Sequence, residues 1–126
     1  MMSAGPTADL KFPRDRRLKL GRDFARLKRQ GQRVVRGCLI ANWAGLPAGQ
    51  RPRLGVVTSR QLGPAVTRSR ARRLLRESFR LHQADLNQPV DMVLVARSSI
   101  VGKNLAEVEN DYLAVLRGAR LLKESE

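Results

Sequence analysis

The sequence predicts an α/β sandwich, with helices packed against a small mixed sheet, and three features lead to it. Leu54-Gly-Val-Val-Thr58 reads as a strand, residues 65–81 as an amphipathic helix, and Val90 to Ala96 as a second strand, a succession that makes a βαβ unit. A β-rich stretch precedes that unit, and helical patterns lie towards both ends. At 126 residues the chain suits one domain with a modest core. General rules make the crossover of such a unit right-handed.

Taken in order, residues 1–13 contain two prolines, a glycine and few large apolar groups, which predicts a loose arm that orders only by docking. Arg14, Arg16, Arg17 and Lys19 keep that arm positive. From Gly21 to Gln30, Phe24 and Leu27 recur at helical spacing, and Gly31 is placed to end a short basic helix. Val34 to Trp43 is rich in β-branched and aromatic residues and reads as one strand or two joined at a bend at Gly37. Gly45-Leu-Pro-Ala-Gly49 and Pro52 make a turn. Gly63-Pro64 breaks the chain before the next helix, with Pro64 expected in its first turn.

Val90-Asp-Met-Val-Leu-Val-Ala96 is short and almost wholly apolar, as a central strand covered on both faces should be. Asn104 with Glu107 has the form of a capping box, and Ala106, Tyr112, Leu113, Leu116, Leu121 and Leu122 predict a last amphipathic helix. The order is helix, two or three strands, basic helix, strand, helix.

Residues 65–80 hold six arginines and one glutamate. At the helical period Arg72, Arg73, Arg76 and Arg80 share one arc with Ser69 near its middle, and Ala71, Leu74, Leu75, Ser78 and Leu81 share the other. One face buries and the other offers forked donors suited to phosphate. A solubility face would mix both signs, and this one does not. The formal charge of +14 makes nucleic acid the leading partner class through counterion release. No apolar run approaches the roughly 20 residues of a spanning helix. The first ten residues lack the basic and apolar regions of a signal peptide, so the expected location is cytoplasmic, with no membrane and no small-molecule substrate as partner.

Cys38 is the only cysteine and lies in an apolar stretch, so a buried thiol is expected. His82 is the only histidine and closes a basic helix, where a solvated or half-buried ring is the simpler account than a catalytic base or a zinc ligand.

Arg68-Ser-Arg70-Ala-Arg-Arg-Leu-Leu-Arg-Glu-Ser-Phe79 resembles the signature of the bacterial ribonuclease P protein family, Arg-Asn-Arg followed by basic and leucine residues and an aromatic, with Ser69 in place of the asparagine. The resemblance covers about residues 12–120 and includes Phe12-Pro-Arg, Arg17-Leu18, Asp23-Phe24, Gly31, Leu54-Gly-Val, Gly63, Ala65-Val66 and Asp91 to Arg97. It implies a ribosomal-protein-like αβββαβα fold with a small mixed four-stranded sheet, about three helices and a left-handed βαβ crossover, against the general rule. It divides the chain into an arm (1–13), a single RNA-binding domain (14–122) and a C-terminal tail (123–126).

The function implied is that of the protein subunit of the ribonucleoprotein that removes the 5′ leader from precursor transfer RNA. Its partners would be the catalytic RNA and precursor tRNA. No protein side chain would be catalytic and the protein alone would bind no cofactor, with Mg2+ in the holoenzyme held mainly by RNA. Arg68, Ser69, Arg70, Arg72, Arg73 and Arg76 would contact the catalytic RNA. A cleft between the first helix and the sheet would receive the leader, with Phe24, Lys28, Ile40, Asn42 and Arg60 at the matching positions. Lys28 and Asn42 stand where the family usually carries further aromatics, Gln61 has lost a basic counterpart, and Trp43, one residue on, should point to the other sheet face. Phe24 reads equally as a core anchor or a leader contact, and its exposure decides. The alternatives are a ribosomal or general structured-RNA binder without a role in cleavage, a stand-alone nuclease, for which the chain offers no groups, and a DNA-reading factor, which would need side chains reaching base edges.

Overall fold

The computed structural model describes residues 17, 18 and 20–123. The expected arm over 1–13, the basic residues Arg14, Arg16 and Lys19, and tail residues 124–126 lie outside them. The elements are α1 (Leu20–Gln30), β1 (Gln32–Arg36), β2 (Leu39–Gly45), β3 (Arg53–Val57), α2 (Ala65–Leu81), β4 (Val90–Ala96) and α3 (Leu105–Gly118). Short 3-10 turns follow β3, α2 and β4. The sheet order is β1-β2-β4-β3, with β3 parallel to β4 and the other pairs antiparallel.

Strand alternation divides the sheet into two faces. Leu39, Ala41 and Trp43 of β2, Leu54 and Val56 of β3, and Met92 and Leu94 of β4 join the larger core, which Ala71, Leu75 and Phe79 of α2 and Val108, Tyr112 and Leu116 of α3 complete. On the opposite face Leu18, Leu27 and Val93 form a smaller cluster, extended by Phe24, Ala44, Val57 and Val95. Trp43 therefore points away from the cleft face, as its parity with Asn42 requires.

Two glycines mark constrained corners. At Gly31, where α1 ends, a Cβ would lie 2.5 Å from the carbonyl oxygen of Trp43. Gly37, at the β1–β2 bend, has φ 53° and would drive a Cβ into the Asp111 carboxylate, which accepts the Cys38 backbone N–H at 3.0 Å. That contact ties the hairpin to α3. The Cys38 thiol is buried, and burial first, with the Asp111 carboxylate second, pushes its pKa up to about 12.

Two helix ends differ from expectation. Pro64 is the N-cap residue of α2 rather than part of its first turn. The capping box of α3 is present in both directions, Glu107 N–H to Asn104 Oδ1 and Asn104 N–H to Glu107 Oε1, each 2.9 Å. Its far end stops short of Leu121 and Leu122, because the Leu121 N–H folds back to the Leu116 carbonyl at 2.8 Å and the Arg120 N–H to Arg117 at 3.1 Å. Leu121 is buried all the same, and Leu122 bridges to Leu86. The apolar periodicity continued into a segment that packs but is not helical.

Arg120 sits at the left-handed position of that helix end, φ 61°, where glycine has no Cβ penalty. Arg120→Gly is expected to raise stability by about 1 kcal/mol in urea unfolding at unchanged m-value.

His82 lies between two carboxylates, Nδ1 2.7 Å from Asp85 Oδ2 and Nε2 2.6 Å from Glu109 Oε2, with the Tyr112 ring centroid 6.3 Å away. Burial opposes the charged ring, yet the hydrogen bonds and charges of Asp85 and Glu109 together outweigh it and raise the pKa above its ordinary 6.5. A pKa raised in the folded state contributes stability that is complete below the unfolded value and is lost as pH rises through the folded one. The stability difference between the wild type and His82→Gln should accordingly be largest near pH 5.5 and shrink towards pH 9 in thermal melts.

Candidate nucleic-acid interface

The helical stripe of α2 opposite its buried face forms a basin of about 450 Å³ lined by Ser69, Arg72, Arg73, Arg76 and Arg80, with Glu77 and, from the segment before α1, Arg17. Arg17 is placed there by chain pairing, since it bridges Leu54 and the Leu18 N–H donates to the Leu54 carbonyl at 3.0 Å. The Arg76 guanidinium is pulled below its ordinary pKa, by burial first and then by repulsion from Arg17 and Arg72. Polyphosphate would relieve that repulsion.

Arg72 is held in a fixed pose, donating to Thr58 Oγ1 at 2.7 Å and to Ser69 Oγ at 3.1 Å. Ser69 thus acts as an acceptor that orients a neighbouring guanidinium. Arg80 forks onto Glu77, with Nε 2.9 Å from Oε1, so the single acid of the helix is matched within one turn. Arg68 and Arg70 do not line the basin. Arg68 donates to the Gly63 carbonyl at 3.2 Å, and Arg70, rotated towards the far flank, donates to the Lys103 carbonyl at 2.9 Å. Arg-x-Arg spacing turns the second residue by about 200° around a helix, so both cannot share the stripe with Arg72 and Arg76.

On the other face of the sheet, α1 and the β1–β2 hairpin enclose a cleft of about 270 Å³. Phe24 and Lys28 line it from α1, and Arg33, Ile40, Asn42 and Val95 from the sheet. Four of the five predicted cleft residues are therefore together. Arg60 is not among them, because it lies on the exposed 3-10 turn beyond the end of β3. Phe24 is half-buried, its ring packing on the smaller core while also lining the cleft. Lys28 Nζ stands 5.1 Å from that ring's centroid, a cation–π contact.

A charged cluster that the sequence reading did not single out ties α1 to the sheet beside the cleft. Asp91, 1 % exposed, receives both prongs of Arg53, at 2.9 and 2.8 Å, and Arg26 of α1 at 2.7 Å. Arg26 also reaches Asp23 at 3.4 Å. A lone carboxylate inside an apolar strand was the available signal, because a buried charge must be paired. Arg33, one residue before the predicted β-rich stretch that begins at Val34, was not singled out either. Among the described residues no three histidine, cysteine or acidic side chains converge as a metal site would require, and no helix is long and apolar enough to cross a membrane.

The family model described as Ribonuclease P matches residues 12–120. The chain belongs to the ribonuclease P protein family. It is 39% identical over 89 residues to the ribonuclease P protein component of Desulfatibacillum aliphaticivorans, covering 70% of this chain and 74% of the relative. It is 30% identical over 115 residues to that of Dictyoglomus turgidum, covering 90% and 96%. The solved ribonuclease P protein of Staphylococcus aureus superposes with a TM-score of 0.76 at 26% identity, covering 86% of this chain and 98% of that one. The mixed four-stranded sheet with three helices is thus the family's fold, and the ribonuclease P reading stands over the general RNA-binder alternative.

Removing the carboxylate that positions α1 should matter for the cleft and not for the basin. Asp91→Leu is expected to cost about 3 kcal/mol in chemical unfolding, the low end for a broken buried pair because Arg26 and Arg53 are partly exposed. Asp91→Asn, which keeps an acceptor, should cost less than half of that.

Proposed function

We propose that this ribonuclease P protein binds the catalytic RNA of the holoenzyme through the basin on α2 and receives the 5′ leader of precursor tRNA in the cleft beneath α1. The observation that carries the proposal is the division of the two features between opposite faces of one sheet, α2 belonging to the larger core and α1 to the smaller. One protein can then hold two RNA segments at once. The basin residues are Ser69, Arg72, Arg73, Arg76 and Arg80 with Arg17, and Arg68 and Arg70 flank it. Bond cleavage belongs to the RNA and its magnesium ions, and the protein lowers the electrostatic cost of bringing two polyanions together. Such a subunit works in the cytoplasm, where precursor tRNA is made.

In a titration of ribonuclease P RNA against salt, log Kd should rise linearly with log salt concentration. The double variant Arg72→Ala/Arg76→Ala should flatten that slope by about 1.5, two counterions' worth. An unchanged slope removes α2 from the interface. Equal affinity of the wild type for an unrelated structured RNA would favour general RNA binding.

A further inference from the structure

Asn42 supplies the polar group at the floor of the cleft. Asn42 is 5 % exposed, lines the cleft, and its side-chain amide has no hydrogen-bond partner among the described residues. Among the described residues the polar side-chain atoms sealed from solvent without a partner are Trp43 Nε1 and Tyr112 Oη, so the Asn42 amide, which is not one of them, keeps contact with solvent through the cleft. An unpaired amide beside open space is matched by a group that arrives from outside.

The neighbours of Asn42 define that group. The β1–β2 register puts Arg33 directly across from Asn42, and the cleft's apolar floor comes from Ile40 and its partner Val95. Lys28 overhangs from α1, and its ammonium stands over the face of Phe24, the cleft's one aromatic ring. A base stacking there would have to displace the ammonium. What remains on offer is two cations, one amide with both a donor and an acceptor, and an apolar floor.

We propose that this cleft reads the sugar–phosphate backbone of single-stranded RNA rather than its bases, with Lys28 and Arg33 on the phosphates flanking one ribose and the Asn42 amide on that ribose's 2′-hydroxyl. The hydroxyl donates and accepts, as does the amide, and it distinguishes RNA from DNA. Every nucleotide presents the same backbone, so the contact tolerates any leader sequence. The inference rests on the assignment of the leader to this cleft and names the chemical group recognised there.

The test uses the holoenzyme reconstituted with ribonuclease P RNA and measures Kd for precursor tRNA. Single 2′-deoxynucleotides and, separately, single abasic ribonucleotides are walked through the leader, with leaderless tRNA as reference. For the wild type one deoxy position should weaken binding about 5- to 10-fold, the loss of one hydrogen bond pair, while an abasic ribose at that position costs less than about 2-fold. Asn42→Ala should abolish the deoxy effect, and Asn42→Ser, smaller but still a donor and acceptor, should retain part of it. Equal affinities of ribose and deoxy leaders, or an abasic penalty exceeding the deoxy one, overturn the proposal from wild-type protein alone, whatever the variants' stability. Persistence of the deoxy effect in a folded Asn42→Ala protein overturns the role of Asn42. If leaderless tRNA binds as tightly as the precursor, the leader assignment fails and the ribose reading with it.

Discussion

Strand β4 has no free edge and no free face, and both the α2 basin and the cleft beneath α1 are placed by how it is covered. It pairs with β2 on one side and β3 on the other, and its residues alternate between the larger core and the smaller one. Apolar burial is worth roughly 25 cal/mol per Å² removed from water, so a strand covered twice outweighs any local preference nearby. The single charge in it, Asp91, is tolerated only because Arg53 from the adjoining strand and Arg26 from α1 meet it there. That ion cluster gives α1 a directional attachment which Leu27, Phe24 and Val93 alone would not supply.

From this arrangement the two surfaces proposed to face RNA acquire different characters. On α2 the buried residues Ala71, Leu75 and Phe79 take the sheet side, which leaves the guanidiniums on the outer side crowded enough that Arg17 and Arg72 depress the pKa of Arg76. The fold holds like charges together at its own expense, and phosphate groups brought to the basin would reverse the sign of that interaction. Beneath α1 the charges are fewer and are set among apolar side chains. Phe24 packs on the smaller core and also lines the cleft, so its place as a core anchor leaves part of its ring facing the cleft.

Local signals were reliable wherever one residue type has one physical use. Asn104 and Glu107 formed their reciprocal cap, Gly37 its positive-φ bend, and Val90 to Ala96 its central strand. They failed where tertiary contacts replaced local ones. The apolar spacing of Leu121 and Leu122 continued the pattern of α3, but the backbone turned at Arg120 and the two leucines packed from an irregular segment. Arg60 matched its position in the chain, yet a turn after β3 carried it away from the cleft.

Family membership, the order of the elements and the arginine stripe of α2 were determined by the sequence by itself, because they rest on periodicity and on residue types whose chemistry is carried along the chain. Which arginines share the basin was decided only by the tertiary structure, which added Arg17 through a strand bridge and turned Arg68 and Arg70 aside onto backbone carbonyls. The pairing of Asp91 with Arg26 and Arg53, the capture of His82 by Asp85 and Glu109, and the placing of the Asn42 amide at the cleft floor were decided there too. The physical reason is common to all of them. A charge or an amide acquires its role from the partner that folding brings within about 3 Å, and partners such as Arg26 and Arg53 for Asp91 or Glu109 for His82 lie 27 to 65 residues away in the chain.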